Sequence, residues 1–308
     1  MNGEGRDHRA AGTTTGAINK KLVELRESGG AVTLGRVLTL VVCTRDSKNS
    51  EDVIDAANEA SREHPCRVIV VARGSRSEET HLDAEIRVGG DAGASEVVIL
   101  RVFGELADHE ASVVVPFLLP DTPVVAWWPD DAPTVPALDP VGRLAIRRIT
   151  DATGADDPTA TIKSRLGSYT AGDTDLAWSR ITYWRALLTS ALDQPPHEQI
   201  VSATVSGLAT EPALDILAGW LADRIDGPVR RQTGPLFVEL QLTNDDRIAI
   251  SRPQVETTAT LSRVGQPDAL VALARRETRD CLAEELRRLD PDEIYEAALT
   301  GLSKVEYV

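Results

Sequence analysis

The chain has 308 residues, of which 42% are hydrophobic and 26% charged. One hydrophobic core stops growing at roughly 250–300 residues, so this length predicts a soluble protein with two domains. Acidic residues outnumber basic residues by 48 to 33, the net charge is −15, and neither half carries a basic excess. This balance argues against nucleic acid and against an anionic membrane surface as partners.

The sequence shows no sign of export. No apolar run approaches the ~20 residues that cross a bilayer, and the N-terminal segment lacks the apolar stretch of a secretory signal. We therefore expect a cytoplasmic protein. Residues 1–15 are rich in glycine, threonine and charge and predict a disordered N-terminus. The distant cysteines Cys43, Cys66 and Cys281 indicate buried thiols, with a redox pair or sensor as the alternative.

The first half of the chain contains a strand, helix, strand pattern. RVLTLVVCT and CRVIVVARG, residues 36–44 and 66–74, have the apolar character of buried strands. Residues 49–65 between them form a helical pattern with Ser50 as a plausible N-cap. The pattern predicts a βαβ unit with parallel strands and a right-handed crossover. Further strands are expected at residues 84–90, 95–102 and 122–128.

The second half mixes helices with short alternating runs. Residues 173–196 predict one long helix, and a strand at 200–207 precedes a helix at 212–225. Four short runs separated by turn residues then predict an antiparallel meander, followed by two helical segments. The predicted fold is α/β, with a βαβ domain and a mainly parallel sheet over residues 16–168. An α+β domain with the meander follows over residues 169–308.

One glycine-rich segment resembles a phosphate-binding loop only in composition. Gly89, Gly90 and Gly93 lack the G-x-G-x-x-G spacing, and a strand follows them where a dinucleotide site requires a helix N-terminus. A turn is the favoured interpretation, and a phosphate cradle is the alternative. No histidine pair has metal-ligand spacing and no G-x-S-x-G motif is present. We therefore predict no catalytic, metal-binding or cofactor-binding residue.

Arginines occur in four adjacent pairs, which are Arg147-Arg148, Arg230-Arg231, Arg275-Arg276 and Arg287-Arg288. In an acidic chain, pairing with neighbours such as Glu284 and Glu285 is the favoured interpretation. The alternative is recognition of a sugar phosphate or of an acidic partner surface, because a guanidinium matches the geometry of phosphate and carboxylate.

Tryptophan is placed in two short segments. Trp127 and Trp128 end a strand, so their indoles point to opposite faces. Trp178 and Trp184 lie six residues apart on one predicted helix, about 240° around its axis, and only Trp184 belongs to the apolar stripe. Tryptophan and arginine frequently anchor protein interfaces. The partner-binding candidates are therefore Trp127, Trp128, Arg147, Arg148, Trp178, Arg180 and Arg185. The alternative is that Trp128 and Trp178 meet at a domain junction.

Six blocks of sequence carry a resemblance to a known family: INKKLVELRESGGAVTLGRVLTLVV, NEASREHPCRVIVVARG, VGGDAGASEVV, PFLLPDTPVVAWWP, GDTDLAWSRITYWRALL and CLAEELRRLDPDEIYEAAL. They resemble the actinobacterial branch of the OpcA family, the glucose-6-phosphate dehydrogenase assembly proteins, over about residues 13–302. The resemblance implies a non-catalytic protein that binds this dehydrogenase and favours its active oligomer. It also implies promotion of NADPH production at the entry to the oxidative pentose phosphate pathway.

Two points stay open at this stage. Cyanobacterial members of the family are linked to thioredoxin-type redox control, to which the three cysteines here cannot be matched. The alternative function is a sugar-phosphate-binding enzyme or sensor that uses the glycine segment at 89–93 and an arginine pair. Neither the docking surface nor self-association follows from the sequence.

Overall fold

The computed structural model divides the chain into two compact units. Unit 1 comprises Met1–Thr150 and Thr278–Pro291, and unit 2 comprises Asp151–Glu277 and Asp292–Val308. The sequence places its domain boundary after residue 168, whereas the units divide after Thr150 and a C-terminal segment belongs to unit 1. The structure describes residues 6–28, 37–47, 50–88, 96–195, 197–253 and 255–308.

Unit 1 is built on a sheet whose central strands are parallel. Numbered along the chain, its described strands are β1 (Arg6–Ala10), β2 (Leu38–Arg45), β3 (Cys66–Arg73), β4 (Leu82–Val88), β5 (Glu96–Val102), β6 (Val124–Trp128) and β7 (Arg147–Thr150). Their order in the sheet is β1-β4-β5-β3-β2-β6-β7. Strands β5, β3, β2, β6 and β7 are parallel to one another, and β4 and β1 add antiparallel pairs at one edge. The predicted mainly parallel sheet is therefore confirmed.

Strand β1 lies within the N-terminal segment for which the sequence predicts disorder. It pairs in antiparallel register with β4, so that Arg6 is opposite Val88 and Ala10 is opposite Ala84. The guanidinium of Arg9 also lies 3.2 Å from the carboxylate of Glu85. Composition misses this strand because the edge of β4 supplies the backbone hydrogen bonds that hold it.

Four helices accompany this sheet in the described part of unit 1: α1 (Thr15–Ser28), α2 (Ser50–Glu63), α3 (Glu110–Val114) and α8 (Thr278–Arg287). Helices α1 and α3 contribute Leu22 and Val114 to a core that also contains Val41 of β2 and Trp128 of β6. Helix α2 packs against α8, β2 and β3. Buried apolar positions on both sides of the strands explain their near-continuous hydrophobic sequences.

Unit 2 combines helices with a mixed sheet. Its helices are α4 (Pro158–Ser168), α5 (Leu176–Arg180), α6 (Thr182–Leu192), α7 (Pro212–Arg224) and α9 (Glu293–Gly301). Its strands are β8 (Asp173–Asp175), β9 (Ile200–Gly207), β10 (Val229–Thr233), β11 (Phe237–Leu242), β12 (Arg247–Ser251), β13 (Thr258–Arg263), β14 (Ala269–Ala272) and β15 (Val305–Tyr307). The sheet order is β14-β13-β12-β11-β9-β10-β15. Three of the four runs predicted as an antiparallel meander form β11, β12 and β13, and β14 extends them. The first run forms β10, which pairs in parallel with β9 and β15 and lies outside the meander. None of the helices described in either unit is both long and apolar enough to span a membrane.

Candidate functional site

The parallel strands of unit 1 have the order of a doubly wound sheet. Starting from β2, the chain adds β3 and then β5 on one side, and β6 and β7 on the other. The order in which the chain adds strands to the sheet therefore switches sides between β2 and β6, although these two strands are parallel. In open α/β sheets, ligands bind outside the carboxyl ends of the strands at such a switch point.

A cavity of about 490 Å³ lies at this position, which we call the strand-end cavity. Its walls come from strand ends and the segments that follow them: Arg73 at the end of β3 and Arg76 after it, residues 107–112 after β5, and residues 131–134 and 139–141 after β6. Trp128, the last residue of β6, also contributes to the lining. The volume is within the range of roughly 300–1,000 Å³ that is typical of small-molecule sites.

The segment after β6 is held tightly over Trp128. A Cβ on Gly142 would lie 1.8 Å from the carbonyl oxygen of Pro136 and 3.4 Å from Cη2 of Trp128, so only glycine fits. Asp139 Oδ1 accepts hydrogen bonds from the backbone N–H of Val141 at 2.8 Å and of Gly142 at 3.2 Å. These contacts fix the carboxylate of Asp139 at the wall of the cavity.

Charged groups in the cavity interact closely with one another. Glu110 Oε1 lies 2.7 Å from Nε of Arg73, and Asp131 lies 3.8 Å from the same guanidinium. Burial raises the pKa of Glu110 against the opposing charge of Arg73, and the nearby carboxylate of Asp139 raises it further. Arg76 also pairs with Asp108, so both arginine side chains in the lining already have carboxylate partners.

Cys43 in β2 is affected by the same charges. Its thiol is buried, and burial together with the charges of Glu110 and Asp139 raises its pKa well above the ordinary value. A raised pKa keeps the thiol protonated near neutral pH, whereas nucleophilic and metal-binding cysteines need the thiolate. All three cysteines are free and buried, as the sequence predicts.

The segment between β2 and α2 lacks the glycine-rich sequence that binds a dinucleotide in doubly wound folds. Residues 46–49, between β2 and α2, read Asp-Ser-Lys-Asn without a glycine. Glu51 and Asp52 occupy the first turn of α2, where a pyrophosphate would approach the helix N-terminus. Glu51 already pairs with Arg87 at 3.1 Å, and neither carboxylate favours a phosphate group at this position.

The two adjacent tryptophans lie on opposite faces of β6. Trp128 belongs to the core that contains α1 and α3, and Trp127 points to the other face by the alternation of a strand. Both side chains are buried, with exposed fractions of 0% for Trp127 and 1% for Trp128. Docking by either indole stays a prediction, and Trp128 could contact a ligand only through the strand-end cavity.

Arg147 and Arg148 are also buried in unit 1. Arg147 lies 2.5 Å from Glu285 of α8 and donates a hydrogen bond to the carbonyl oxygen of Asp290 at 3.0 Å. Arg148 donates to the carbonyl oxygen of Ala145 at 2.9 Å. The predicted pairing of arginine with Glu285 is present, but the arginine that provides it is 138 residues away in sequence.

Trp178 is part of the core of unit 2. Its Nε1 donates to the carboxylate of Asp292 at 2.8 Å, and the guanidinium of Arg185 lies 3.5 Å from its ring centroid. The expectation that Trp178 lies outside the apolar face is wrong, since it is 2% exposed. The predicted long helix is broken into α5 and α6 at Ile181, with φ −96° and ψ 5°, so the angle of one continuous helix does not apply.

Arg180 forms a two-point ion pair in unit 2. Its Nη1 and Nη2 lie 2.8 and 2.7 Å from the two carboxylate oxygens of Asp151. Such a geometry fixes a guanidinium firmly. Both Arg180 and Arg185 contribute to contacts within unit 2. Their binding to a partner stays a prediction.

The glycine segment predicted as a turn or a phosphate cradle lies outside the described residues. The flanking strands β4 and β5 pair in antiparallel register, with Val88 opposite Glu96. Both interpretations of Gly89, Gly90 and Gly93 stay predictions. In the part of the chain that the structure describes, no group of three or more His, Cys, Asp or Glu residues is arranged to hold a metal ion.

Sequence reasoning missed the residues of the strand-end cavity. Arg73 ends one apolar strand and Asp131 lies three residues after the end of another, and these positions could have indicated them, because the carboxyl ends of parallel strands meet at one edge. Glu110 and Asp139 gave no comparable signal. They reach the cavity from a short helix and a proline-rich segment whose paths the sequence does not specify.

Together these features define a two-unit α/β protein with a doubly wound sheet in one unit and a mixed sheet in the other. Residues 57–166 match the family model described as the glucose-6-phosphate dehydrogenase subunit N-terminal domain, and residues 171–299 match the corresponding C-terminal domain. The chain therefore belongs to the OpcA family of glucose-6-phosphate dehydrogenase subunits, which confirms the family resemblance, while the actinobacterial branch stays a prediction.

Other comparisons add little to this assignment. The curated proteins give no significant match. Among solved structures, biliverdin reductase from Synechocystis sp. PCC 6803 is similar at 10% identity with a TM-score of 0.40, covering 87% of this chain and 96% of that one. An oxidoreductase from Sinorhizobium meliloti gives 10% identity and a TM-score of 0.34, covering 86% of this chain and 87% of that one. These likenesses are too weak to support an argument about function.

Proposed function

We propose that this protein binds glucose-6-phosphate dehydrogenase and stabilises its active oligomer, without catalysing a reaction itself. The observation that carries the proposal is the match of two family models, both described as parts of a glucose-6-phosphate dehydrogenase subunit, to residues 57–166 and 171–299. The expected consequence is a higher rate of NADPH production at the entry to the oxidative pentose phosphate pathway.

The segment between β2 and α2 and the buried Cys43 of β2 support a non-catalytic role. The segment before α2 has no glycine motif and is followed by Glu51 and Asp52, so the usual phosphate-binding position is acidic. The buried thiol of Cys43 has a raised pKa and is a poor nucleophile at neutral pH. A subunit that acts by binding needs neither feature.

The physical basis of activation would be linkage between binding and assembly. A protein that binds the active oligomer more tightly than other forms shifts the equilibrium by the ratio of the two affinities. A tenfold ratio corresponds to about 1.4 kcal/mol, and a change from 1:99 to 99:1 requires about 10⁴-fold. Equal affinity for both forms would shift nothing, however tight the binding.

The aromatic and arginine residues of α6 and its neighbours supply a docking surface in unit 2. Tyr183 is 48% exposed, and the guanidinium of Arg276 lies 5.0 Å from its ring centroid. Arg276 also donates to the carbonyl oxygen of Ser179 at 2.7 Å, which fixes it beside the ring. Tyrosine and arginine in such a rigid arrangement are typical of interface anchors. In this proposal the buried Trp178, stacked against the guanidinium of Arg185, supports the surface from the core of unit 2.

The test is to mix the protein with the dehydrogenase of its own organism and to record particle mass and glucose-6-phosphate oxidation on the same samples. We expect a larger particle and a faster rate. Tyr183→Ala should weaken the complex about 30-fold or more, since anchor residues cost at least about 2 kcal/mol when truncated. Val201→Ala is the matched control, because Val201 is also 48% exposed in unit 2.

Two results would contradict the proposal. Separate particles with an unchanged rate, in reducing and oxidising buffer alike, would remove the partner role. Equal loss of binding in the Tyr183 and Val201 variants would remove the docking surface but keep the partner role. Thermal shift with glucose 6-phosphate and NADP distinguishes the alternative of a sugar-phosphate sensor, because a ligand at 100 times its Kd adds about 2.7 kcal/mol of stability.

A further inference from the structure

The strand-end cavity contains more carboxylates than guanidiniums. Arg76 is paired with Asp108 at the rim, and Arg73 with Glu110 deeper inside. Arg45, just outside the lining, lies 3.7 Å from Asp131. The carboxylates in the lining are those of Asp108, Glu110, Asp131 and Asp139.

Asp139 is the carboxylate in this lining for which the described residues provide no cation within 4.0 Å. Its Oδ1 is held by the backbone N–H groups of Val141 and Gly142, which orient the group without neutralising its charge. Its charge reaches Glu110, which is itself mostly shielded from water and whose pKa is raised mainly by burial. A cation between Asp139 and Glu110 would relieve this repulsion.

The remaining walls combine an apolar part with the polar side chains of His109, Ser112 and Thr134. Trp128, Val141 and the rings of Pro133 and Pro140 contribute to the lining. Arginine and lysine side chains, and alkyl amines in general, combine an aliphatic stem with a charged head and so match such a mixed surface. The cavity does not favour a phosphate group, because the guanidiniums of Arg73 and Arg76 already have carboxylate partners.

We infer that the strand-end cavity binds an organic cation, a guanidinium or alkylammonium group on an aliphatic stem. The charged head lies between Asp139 and Glu110, and the stem lies along the rings of Pro133 and Pro140. The cation has two possible sources, a free small molecule or a basic side chain of a partner protein. This inference does not depend on the proposed function.

Calorimetric titration with butylguanidinium tests the site directly, and butylurea is its uncharged counterpart of similar shape. At low ionic strength, where screening is weak, we expect butylguanidinium to bind in the millimolar range and butylurea to give no signal. Asp139→Asn keeps the Oδ1 acceptor but removes the charge, so it should weaken binding about tenfold or more. Glu110→Gln should weaken it as well.

Asp121→Asn is the control, since Asp121 is an exposed residue of unit 1 outside the cavity and the substitution removes the same charge. It should bind butylguanidinium as the unchanged protein does, which separates local from overall electrostatics. Equal binding of butylurea, or unchanged binding by the Asp139 variant, would overturn the inference. Thermal melts of each variant confirm that it is folded at the titration temperature.

A second arm identifies the source of the cation. If Asp139→Asn weakens the complex with the dehydrogenase and butylguanidinium competes with that complex, the cation is a basic side chain of the partner. If butylguanidinium binds while the complex is unchanged by either treatment, the natural ligand is a free small molecule. Failure of the dehydrogenase to bind at all would leave the calorimetric result intact.

Discussion

The buried ion pair between Arg147 and Glu285 gives the sharpest prediction for stability. The two side chains are 2% and 4% exposed and lie 2.5 Å apart, and both belong to unit 1. Arg147→Met keeps most of the aliphatic stem but removes the guanidinium. The substitution removes the guanidinium that pairs with the buried carboxylate of Glu285 and that donates to the carbonyl oxygen of Asp290.

The expected cost follows from this geometry. Removing one partner of a buried ion pair typically destabilises a protein by about 3–5 kcal/mol, because an uncompensated charge stays in a poorly solvated site. Replacing both partners by apolar residues is often neutral or stabilising. The double variant Arg147→Met with Glu285→Leu should therefore recover more than half of the loss.

The assay is urea unfolding followed by far-UV circular dichroism, with hydrogen exchange of the α8 amides to assign the transition to unit 1. Arg287→Met is the matched control, since Arg287 pairs with Glu63 but the two side chains are 60% and 52% exposed. An exposed pair contributes about 0–1 kcal/mol. If Arg147→Met costs no more than Arg287→Met, the reasoning from burial is wrong. If it loses dehydrogenase binding at full stability, Arg147 is a docking residue after all.

Four further substitutions test other parts of the structure. Trp127→Ala and Trp128→Ala should each destabilise unit 1 by about 3–5 kcal/mol in urea unfolding, and a loss below about 1 kcal/mol for either would contradict its burial. Gly142→Ala should lower stability by about 1–3 kcal/mol, since the new Cβ would lie 1.8 Å from a carbonyl oxygen. The same substitution should weaken butylguanidinium binding. Unchanged binding would show that the proline-rich segment does not shape the cavity. Burial raises the pKa of Asp215 against the opposing charge of Arg231, so the fold loses stability as the pH rises through the folded-state pKa. Asp215→Asn should therefore raise the urea midpoint at about pH 8, with the gain vanishing toward about pH 4, and a lower midpoint at pH 8 would show that the ion pair dominates instead.

The sequence predicted the elements well where one physical signal decided them. The apolar runs that became β2 and β3 could only be buried strands, because such runs cannot stay in water and are too short for a buried helix with caps. The alternation of the runs that became β11 and β12 indicated a half-buried antiparallel pair for the same reason. The family resemblance was also readable, because long blocks of sequence carry it.

The roles of the tryptophans were harder to predict. Alternation in a strand correctly placed Trp127 and Trp128 on opposite faces, but it could not show that both faces are covered. The position of Trp178 was misjudged because the helix breaks at Ile181, a residue without any sequence signal for a break. A helical wheel assumes a continuous helix. One residue with non-helical backbone dihedrals changes the angle around the axis between every residue before it and every residue after it.

By itself, then, the sequence determined the local elements, the acidic character and the family, because each depends on residues that are near one another in the chain or on composition alone. Only the tertiary structure decided that residues 278–291 belong to unit 1, that Arg147 is buried against Glu285, and that Glu110 and Asp139 meet in one cavity. Contacts between distant segments depend on how strand order and crossovers direct the chain, and several topologies are compatible with the same local pattern.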